Sequence, residues 1–144
     1  MKPLDEAVRQ VEAIMKVADD EGVDFVLNAR TDAFHLGRDK DPAANLEEAV
    51  TRGKAYLDAG APVVFVPAIL NEDAVRTLVD AFGTQRLSVI AIPGNPPLAR
   101  LEELGVARVS FGPLSLNVAL TALHQLLERT QQGQGVPDTM RLLA

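Results

Sequence analysis

The chain has 144 residues and a mass of 15.5 kDa, and 47% of its residues are hydrophobic, which is enough to build the core of one domain. Its 14 basic and 20 acidic residues give a net charge of -6, which disfavours binding to nucleic acid or to an acidic membrane surface. Because cysteine is absent, disulfides, a thiol nucleophile and cysteine-ligated metal sites are excluded.

The sequence carries no targeting signal that we recognise. No apolar run approaches the roughly 20 residues that cross a bilayer, and the segment from Met1 to Glu6 lacks the apolar centre of a signal peptide. We therefore expect a cytoplasmic protein with no membrane partner.

The first half of the chain alternates helical and extended patterns. Apolar residues at helical spacing predict a helix over 4–21, and the apolar run behind it predicts a buried strand over 24–29. Residues 33–43 are polar and predict a loop, after which apolar spacing over 46–57 predicts a second helix that ends at Gly60.

The same alternation continues through the second half. We predict further strands and helices in the order strand 63–66, helix 71–82, strand 87–92, helix 97–104, strand 106–111, and a last helix from about Pro113 to Arg129. The residues behind it are polar. The predicted organisation is a domain over 1–130 and a polar C-terminal tail over 131–144.

Strictly alternating strands and helices indicate parallel strands joined by helical crossovers. Four strands could form a small self-contained layered domain, or they could be the C-terminal half of a (β/α)₈ TIM-type barrel, which typically needs about 250 residues. We favour the half-barrel. An unclosed half leaves strand edges and an apolar sheet face unprotected, so we expect a homo-oligomer or assembly with a complementary half-barrel.

The first strand leads into an arginine and an aspartate, Arg30 and Asp32. Charged residues at the carboxyl end of a parallel strand lie where such sheets bind their ligands. Side chains two residues apart share a face, so Asn28, Arg30 and Asp32 are expected on one side. Asn28 could position a ligand or fill an interior layer, and Asp32 could orient the Arg30 guanidinium or cap the next segment.

Three segments resemble the isocitrate lyase and phosphoenolpyruvate mutase superfamily. Asn28-Ala29-Arg30-Thr31-Asp32-Ala33 is similar to the Ala-Arg-Thr-Asp-Ala motif at the end of the fifth barrel strand in that superfamily. The segment from Ala59 to Pro67 resembles the passage into the sixth strand, and the segment from Leu104 to Gly112 resembles the eighth strand of the phosphonomutase-like branch. The order and spacing of the segments match the C-terminal half only.

The resemblance implies a chemistry and a role for Arg30. Members of this superfamily make or break carbon-carbon or carbon-phosphorus bonds next to a carboxylate, through an anionic species held by magnesium. The resemblance implies a small carboxylate or phosphonate substrate. It also implies that Arg30 is the catalytic residue, which would hold the acid group of that substrate. A guanidinium suits this role because it donates two parallel hydrogen bonds. The alternative is that Arg30 only pairs with Asp32 or with another acid.

The chain departs from the superfamily in its metal site. The magnesium ligands of the family lie largely on strands two to four, including an Asp-x-Asp motif, and neither that motif nor the Lys-Lys-Cys-Gly-His type loop is present. We predict no metal ligands in this chain and interpret Asp39-Lys40-Asp41 as a solvated turn. Pro67-Ala68 and the segment 91–94 also replace catalytic residues of the family.

Two glycine turns and one histidine are weaker candidates. Gly94 and Asn95 follow the third strand and could present polar groups to a ligand. Gly112 lies between the last strand and a helix, where backbone N–H groups can bind an acid group. For each of them a plain tight turn is the favoured alternative. His35 could be a proton donor near the barrel mouth or a solvated loop residue.

The predicted function is therefore that of a partial isocitrate lyase or phosphoenolpyruvate mutase-like protein, whose ancestral chemistry is a magnesium-assisted lyase or mutase reaction. The alternative is a non-catalytic oligomeric scaffold or a small-acid binding module that lacks the metal half.

Overall fold

The computed structural model describes residues 1–141 and contains one sheet of four parallel strands. The strands lie in chain order and are β1 (Asn28–Arg30), β2 (Val63–Val66), β3 (Leu87–Ile90) and β4 (Arg108–Ser110). The helices are α1 (Leu4–Asp20), α2 (Ala33–Leu36), α3 (Pro42–Asp58), α4 (Glu72–Phe82), α5 (Leu98–Glu103) and α6 (Leu114–Gln131). The predicted fold class, four parallel strands alternating with helices, is confirmed.

The chain divides into two compact units, Met1–Ser110 and Phe111–Ala144. The first unit contains the whole sheet and the helices α1 to α5. The predicted boundary between a domain and a tail at residue 130 stays a prediction, and residues 142–144 of that tail lie outside the described residues.

The core lies between one face of the sheet and the helices of the first unit. Ala29 on β1 is in register with Val64 on β2, which is in register with Leu87 on β3, and all three are buried. They belong to the same cluster as Ala49 of α3 and Leu78 of α4. Each large apolar side chain contributes roughly 1.5–3 kcal/mol when it is fully buried, so this cluster holds the helices against the sheet.

The helix starts are specified by local hydrogen bonds. The side chain of Asp41 accepts a hydrogen bond from the backbone N–H of Ala43 at 3.0 Å, and Pro42 occupies the first turn of α3. Asn71 caps α4 in the same way through the N–H of Ala74 at 2.9 Å. These side chains satisfy N–H groups that the first turn of a helix leaves without partners.

The structure corrects the predicted loop over 33–43. Residues 33–36 form the short helix α2, and α3 begins at Pro42, four residues before the first apolar residue of its predicted range. Periodicity marks only the part of a helix that packs against the core. Residues 42–44 at the capped start of α3 are exposed, so no buried apolar residue marks where the helix begins.

The predicted buried strand over 24–29 is wrong in its first part. Only Asn28–Arg30 form β1, and Phe25 and Val26 are 46% and 66% exposed. The reason is that β1 is an edge strand, which pairs with β2 alone within the four-stranded sheet. The strands β3 and β4 are also shorter than the predicted ranges 87–92 and 106–111.

The second unit contains the helix α6, whose side chains are not buried. Leu116, Leu120 and Leu123 are each at least half exposed. The Nε2 atom of His124 lies 3.2 Å from Oε1 of Glu128 on this helix. Across residues 1–141, none of the helices has the length and apolar character of a membrane span.

Gly53 permits the close approach of α3 and α4. A Cβ atom at this position would lie 2.2 Å from the Cζ atom of Phe82, which is only 4% exposed. We expect Gly53→Ala to lower the free energy of unfolding by about 1–3 kcal/mol, because overpacking outweighs the gain in helix propensity of roughly 1 kcal/mol. Urea denaturation measures this change.

The matched control for Gly53→Ala is Lys54→Ala, which alters the adjacent but exposed position of α3. We expect it to change the free energy of unfolding by less than about 0.5 kcal/mol. A Gly53→Ala protein that is more stable than the wild type would contradict the proposed packing of the two helices.

Candidate functional site

The sheet face opposite the helices carries a row of four residues in register. Because side chains alternate along a strand, and Ala29 and Val64 are buried against the helices, their neighbours project from the other face. We call this the inner face. Its row runs across β1 to β4 through Arg30, Phe65, Ser88 and Arg108. Asn28 shares this face with Arg30, as alternation predicts.

Arg30 is held by Asp32. The Nε atom of Arg30 donates to Oδ1 of Asp32 at 2.7 Å, and its Nη2 atom lies 2.7 Å from the same oxygen. The Arg30 side chain is 51% exposed. Asp32 stands at the N-cap position of α2 but makes no capping hydrogen bond. This contact fits both an orienting role for Asp32 and the alternative that Arg30 only pairs with Asp32, so the orienting role stays a prediction.

Asn28 presents a buried acceptor. Its Oδ1 atom is inaccessible and has no hydrogen-bond partner among the described residues. A buried polar atom without a partner lowers stability by roughly 1–3 kcal/mol. A ligand group that donated a hydrogen bond to this oxygen would remove that cost. Within the described residues, Asn28 is thus the predicted site residue that has a buried side-chain atom without a hydrogen-bond partner.

Asn28, Arg30 and Asp32 line a common cleft of about 330 Å³ beside β1, which we call the edge cleft. Ala29 and residues of α1 and α3, including Val11, Arg52 and Tyr56, also line it, so the cleft lies along the edge of β1 and extends to the helix side of the sheet. The volume lies within the range of small-molecule pockets, about 300–1,000 Å³. The structure therefore brings three of the predicted site residues into one cleft.

Arg52 is a residue of the edge cleft that the sequence interpretation missed. It is 8% exposed, and its Nε atom donates to Oε1 of Glu48 at 2.6 Å. Burial lowers the pKa of Arg52, but hydrogen bonds with Tyr56 and Glu48 outweigh this and raise the pKa above its ordinary value. The guanidinium therefore stays charged, and the edge cleft has two arginines. The spacing of Glu48 and Arg52, one helical turn apart, was the available sequence signal.

Arg108 lies at the opposite end of the inner-face row. Its Nη1 atom lies 3.4 Å from the Oγ atom of Ser88, a residue that is fully buried. Three strand spacings of about 4.8 Å each separate β1 from β4, so the backbones of Arg30 and Arg108 are roughly 14 Å apart along the row.

Asn95 has a structural role at the loop after β3. Its Nδ2 atom donates to the carbonyl oxygens of Ala68 at 3.2 Å and Ile90 at 2.8 Å, and its Oδ1 atom accepts from the N–H of Leu70 at 2.8 Å. The side chain thus joins the ends of β2 and β3. Gly94 adopts a φ of 102°, which disfavours other residues, and a Cβ atom there would approach Ile69 to 3.1 Å.

Gly112 belongs to the second unit and has a φ of 51°. This left-handed conformation suits a glycine at a tight turn before α6. The proposed binding of an acid group by Gly112, Gly94 or Asn95 stays a prediction.

The residues over 1–141 contain no group of three or more histidine, aspartate and glutamate side chains that could hold a metal ion. Asp41 of the predicted solvated turn is used as the N-cap of α3. The donor set of this part of the chain does not fit a magnesium ion.

Comparison with known proteins identifies the family. The family model of phosphoenolpyruvate phosphomutase matches residues 1–131, so the chain belongs to this family, within the phosphoenolpyruvate mutase and isocitrate lyase superfamily. The 2-methylisocitrate lyase of Escherichia coli (strain K12) is 33% identical over 124 residues, which cover 82% of this chain and 40% of the relative. The 2,3-dimethylmalate lyase of Eubacterium barkeri is 31% identical over 123 residues, covering 81% of this chain and 40% of the relative.

A solved structure supports the same fold. A phosphonomutase-like protein from Burkholderia cenocepacia J2315 superposes with a TM-score of 0.79 and 33% identity, covering 90% of this chain and 52% of that protein. The chain thus spans about half of this structure and 40% of the two curated relatives. Its four strands correspond to half of the eight-stranded TIM-type barrel.

The hydrogen bonds of Asn95 predict a large structural effect. We expect Asn95→Ala to lower the free energy of unfolding by about 2–4 kcal/mol, because three hydrogen bonds of about 1 kcal/mol each are lost and backbone groups are left unpaired. Urea denaturation measures the effect.

Asn117→Ala is the control for Asn95→Ala, since it removes the same side chain from an exposed position of α6. It should leave stability within about 0.5 kcal/mol of the wild type. If Asn95→Ala were as stable as Asn117→Ala, the structural role of Asn95 would be wrong.

Proposed function

We propose that this chain supplies the acid-binding half of a lyase or mutase that acts on a small carboxylate or phosphonate. The position of Arg30 carries the proposal. It stands at the carboxyl end of β1, on the inner face, where (β/α)₈ enzymes place their catalytic groups. The family membership of the chain favours this function over the alternative, a non-catalytic oligomeric scaffold or small-acid binding module that lacks the metal half.

Arg30 would bind the acid group of the substrate through its guanidinium. Asp32 fixes the guanidinium through a single oxygen, Oδ1, and the half-exposed side chain leaves N–H donors free to reach a ligand. A guanidinium with one fixed edge presents the other edge to a carboxylate or phosphonate with little loss of side-chain entropy. Asp32 is the positioning residue in this arrangement.

Asn28 would recognise a donor group on the same ligand. Asn28 lines the edge cleft beside Arg30, and its buried Oδ1 atom has an unsatisfied acceptor position that a ligand reaches when the side chain turns towards the cleft. A hydroxyl next to the acid group is a suitable donor, since its O–H can complete the missing hydrogen bond. The substrate class that fits both residues is a small hydroxy acid or its phosphonate counterpart.

The comparisons are consistent with this class. The two curated relatives are named for the cleavage of 2-methylisocitrate and 2,3-dimethylmalate. Each of these compounds carries carboxylate groups. Bond cleavage next to a carboxylate leaves negative charge beside the acid group, which a fixed guanidinium stabilises. Because the described residues do not fit magnesium, no step is assigned to a metal on this chain.

The binding role of Arg30 predicts a specific loss of affinity. We expect Arg30→Met to weaken the binding of oxalate by about 10- to 100-fold, because charge-assisted hydrogen bonds to a carboxylate are removed. Arg30→Lys should retain part of the affinity, since it keeps the charge and loses the paired donors. Isothermal titration calorimetry with the full chain gives the dissociation constants.

Arg86→Met provides the matched control because Arg86 is exposed and its Nε atom makes a long hydrogen bond, 3.5 Å, to the carbonyl oxygen of Pro62. Its affinity for oxalate should equal that of the wild type. Equal affinities of the Arg30→Met and wild-type chains, or equal losses in Arg30→Met and Arg86→Met, would contradict the proposal.

A further inference from the structure

An apolar groove runs beneath α1, along β1 and the segment that precedes it. It joins the helix side of the edge cleft to a second cleft of about 240 Å³, and Ile14 of α1 lines both. Among the described residues, all but Glu21 of those that line the second cleft are apolar, namely Ile14, Val17, Ala18, Val23 and Phe25. We call the two together the strand groove.

The apolar side chains of the strand groove are open to solvent. Ile14 is 43% exposed, Val17 is 60% exposed and Phe25 is 46% exposed. They lie next to one another around a single cleft. A contiguous apolar surface of this kind marks an interaction site rather than an ordinary scatter of exposed apolar residues.

The strand groove has the side-chain pattern of a β-strand along one wall. Every second residue from Val23 to Ala29 lines it on the helix side, whereas Asp24 and Val26 line neither cleft. This period of two is that of an extended strand, although only Asn28–Arg30 pair with β2. Within the described residues no strand pairs with the outer edge of β1. A strand added there would send alternate side chains under α1.

The strand β4 has the side chains that such a partner needs. Val109 is in register with Val89, which is buried on the helix side, so Val109 points to that side as well. Its neighbours Arg108 and Ser110 point to the inner face. If β4 lay along β1, the apolar side chain would enter the strand groove and the polar side chains would stay on the inner face.

A chain cannot place its own β4 in its own strand groove. The two strands are the opposite edges of the sheet, three strand spacings or roughly 14 Å apart. In a second copy, however, β4 is an edge strand that pairs with β3 alone within the described residues. It runs in the same direction along the sheet as β1, as the parallel pairs require.

We propose that the strand groove binds β4 of a second copy of this chain, and that the second copy binds β4 of the first in the same way. Four strands from each copy make the eight strands of a closed (β/α)₈ barrel. The two contacts pair both open edges of both sheets, which removes the exposed edges. Each sheet already superposes on about half of the Burkholderia cenocepacia protein.

The barrel geometry predicts the register of the contact. An eight-stranded barrel of this type has a shear of 8, so each four-stranded half accounts for a displacement of about four residues. The inner-face row that begins at Arg30 and ends at Arg108 would therefore continue onto position 26 or 34 of the other copy. Phe34 lies in the helix α2, so Val26 is the partner. Leu27 then faces Val109 of the second copy.

This register also brings a donor to Asn28. Arg108 of the second copy would be a diagonal neighbour of Asn28 on the inner face, within reach of a long side chain. Its guanidinium can donate to the buried Oδ1 atom, which has no hydrogen-bond partner among the described residues. A carboxamide oxygen has two acceptor positions, so one remains for a ligand. Arg30 lies two residues nearer the carboxyl end of β1, and its role does not depend on this contact.

Cysteine cross-linking tests the contact directly. Because the chain contains no cysteine, the double variant Val26→Cys with Arg108→Cys carries only the two introduced thiols. Neighbouring strands lie about 4.8 Å apart, within the Cα separation of about 4.4–6.8 Å that a disulfide spans. We expect oxidation to give a covalent species of two copies on a non-reducing gel.

The cross-linking controls are the two single variants and the double variant Lys54→Cys with Arg108→Cys, in which the first cysteine stands on an exposed position of α3. None of them should form the two-copy species. Sedimentation equilibrium of the wild-type chain should give twice its mass of 15.5 kDa. Arg30→Met should associate as the wild type does, so failure here and failure of acid binding at Arg30 give different results.

A charge in the strand groove should weaken the association. We expect Phe25→Asp to raise the dissociation constant of the two-copy species at least tenfold, because the carboxylate would be buried among apolar side chains. Phe25 is half exposed in the single copy, so the variant should keep the far-ultraviolet circular dichroism of the wild type. Leu98→Asp is the matched control, since Leu98 is 52% exposed on α5 and does not line the groove.

Three results would overturn the proposal. The first is a wild-type chain with the mass of one copy, which would mean that the strand groove takes a strand of a different polypeptide. The second is a Val26→Cys, Arg108→Cys protein that stays uncross-linked, forms a ladder of longer species, or cross-links no better than its controls. The third is a Phe25→Asp protein that associates as tightly as Leu98→Asp.

Discussion

The structure depends on the burial of one face of its parallel sheet. Ala29, Val64 and Leu87 lie in register and are buried against the helices of the first unit. Because side chains alternate along a strand, fixing these residues on the helix side forces their neighbours to the inner face. A slip of one residue would exchange the two faces and would bury Arg30 in an apolar core. The apolar burial thus determines where the charged groups of the site point.

In the edge cleft, two arginines are each neutralised by a neighbouring acid, and Asn28 contributes an acceptor that lacks a donor. A fixed guanidinium favours a specific acid group. The inner face is where a homo-oligomeric partner or a complementary half-barrel would pack, and this assembly stays a prediction.

Much of the fold was predictable because helical periodicity and apolar runs report local burial. The four parallel strands, their order and five of the helices follow from that pattern, and the motif around Arg30 indicated both the family and the pairing with Asp32. Features that depend on distant segments were not predictable. The length of β1 depends on whether a neighbouring strand pairs with its outer edge, and the role of Asn95 depends on backbone groups of Ala68, Leu70 and Ile90. Arg52 was missed because its position in a cleft results from helix packing.

The central claim is that Arg30, fixed by Asp32, holds the acid group of a small substrate. A crystal structure of the chain with bound oxalate tests it most directly. The account predicts that oxalate lies in the edge cleft with an oxygen about 2.7–2.9 Å from a guanidinium nitrogen of Arg30, the distance of a charge-assisted hydrogen bond. It also predicts that the Arg30 contact with Asp32 persists. Oxalate bound elsewhere, with the Arg30 guanidinium turned away from it, would contradict the account.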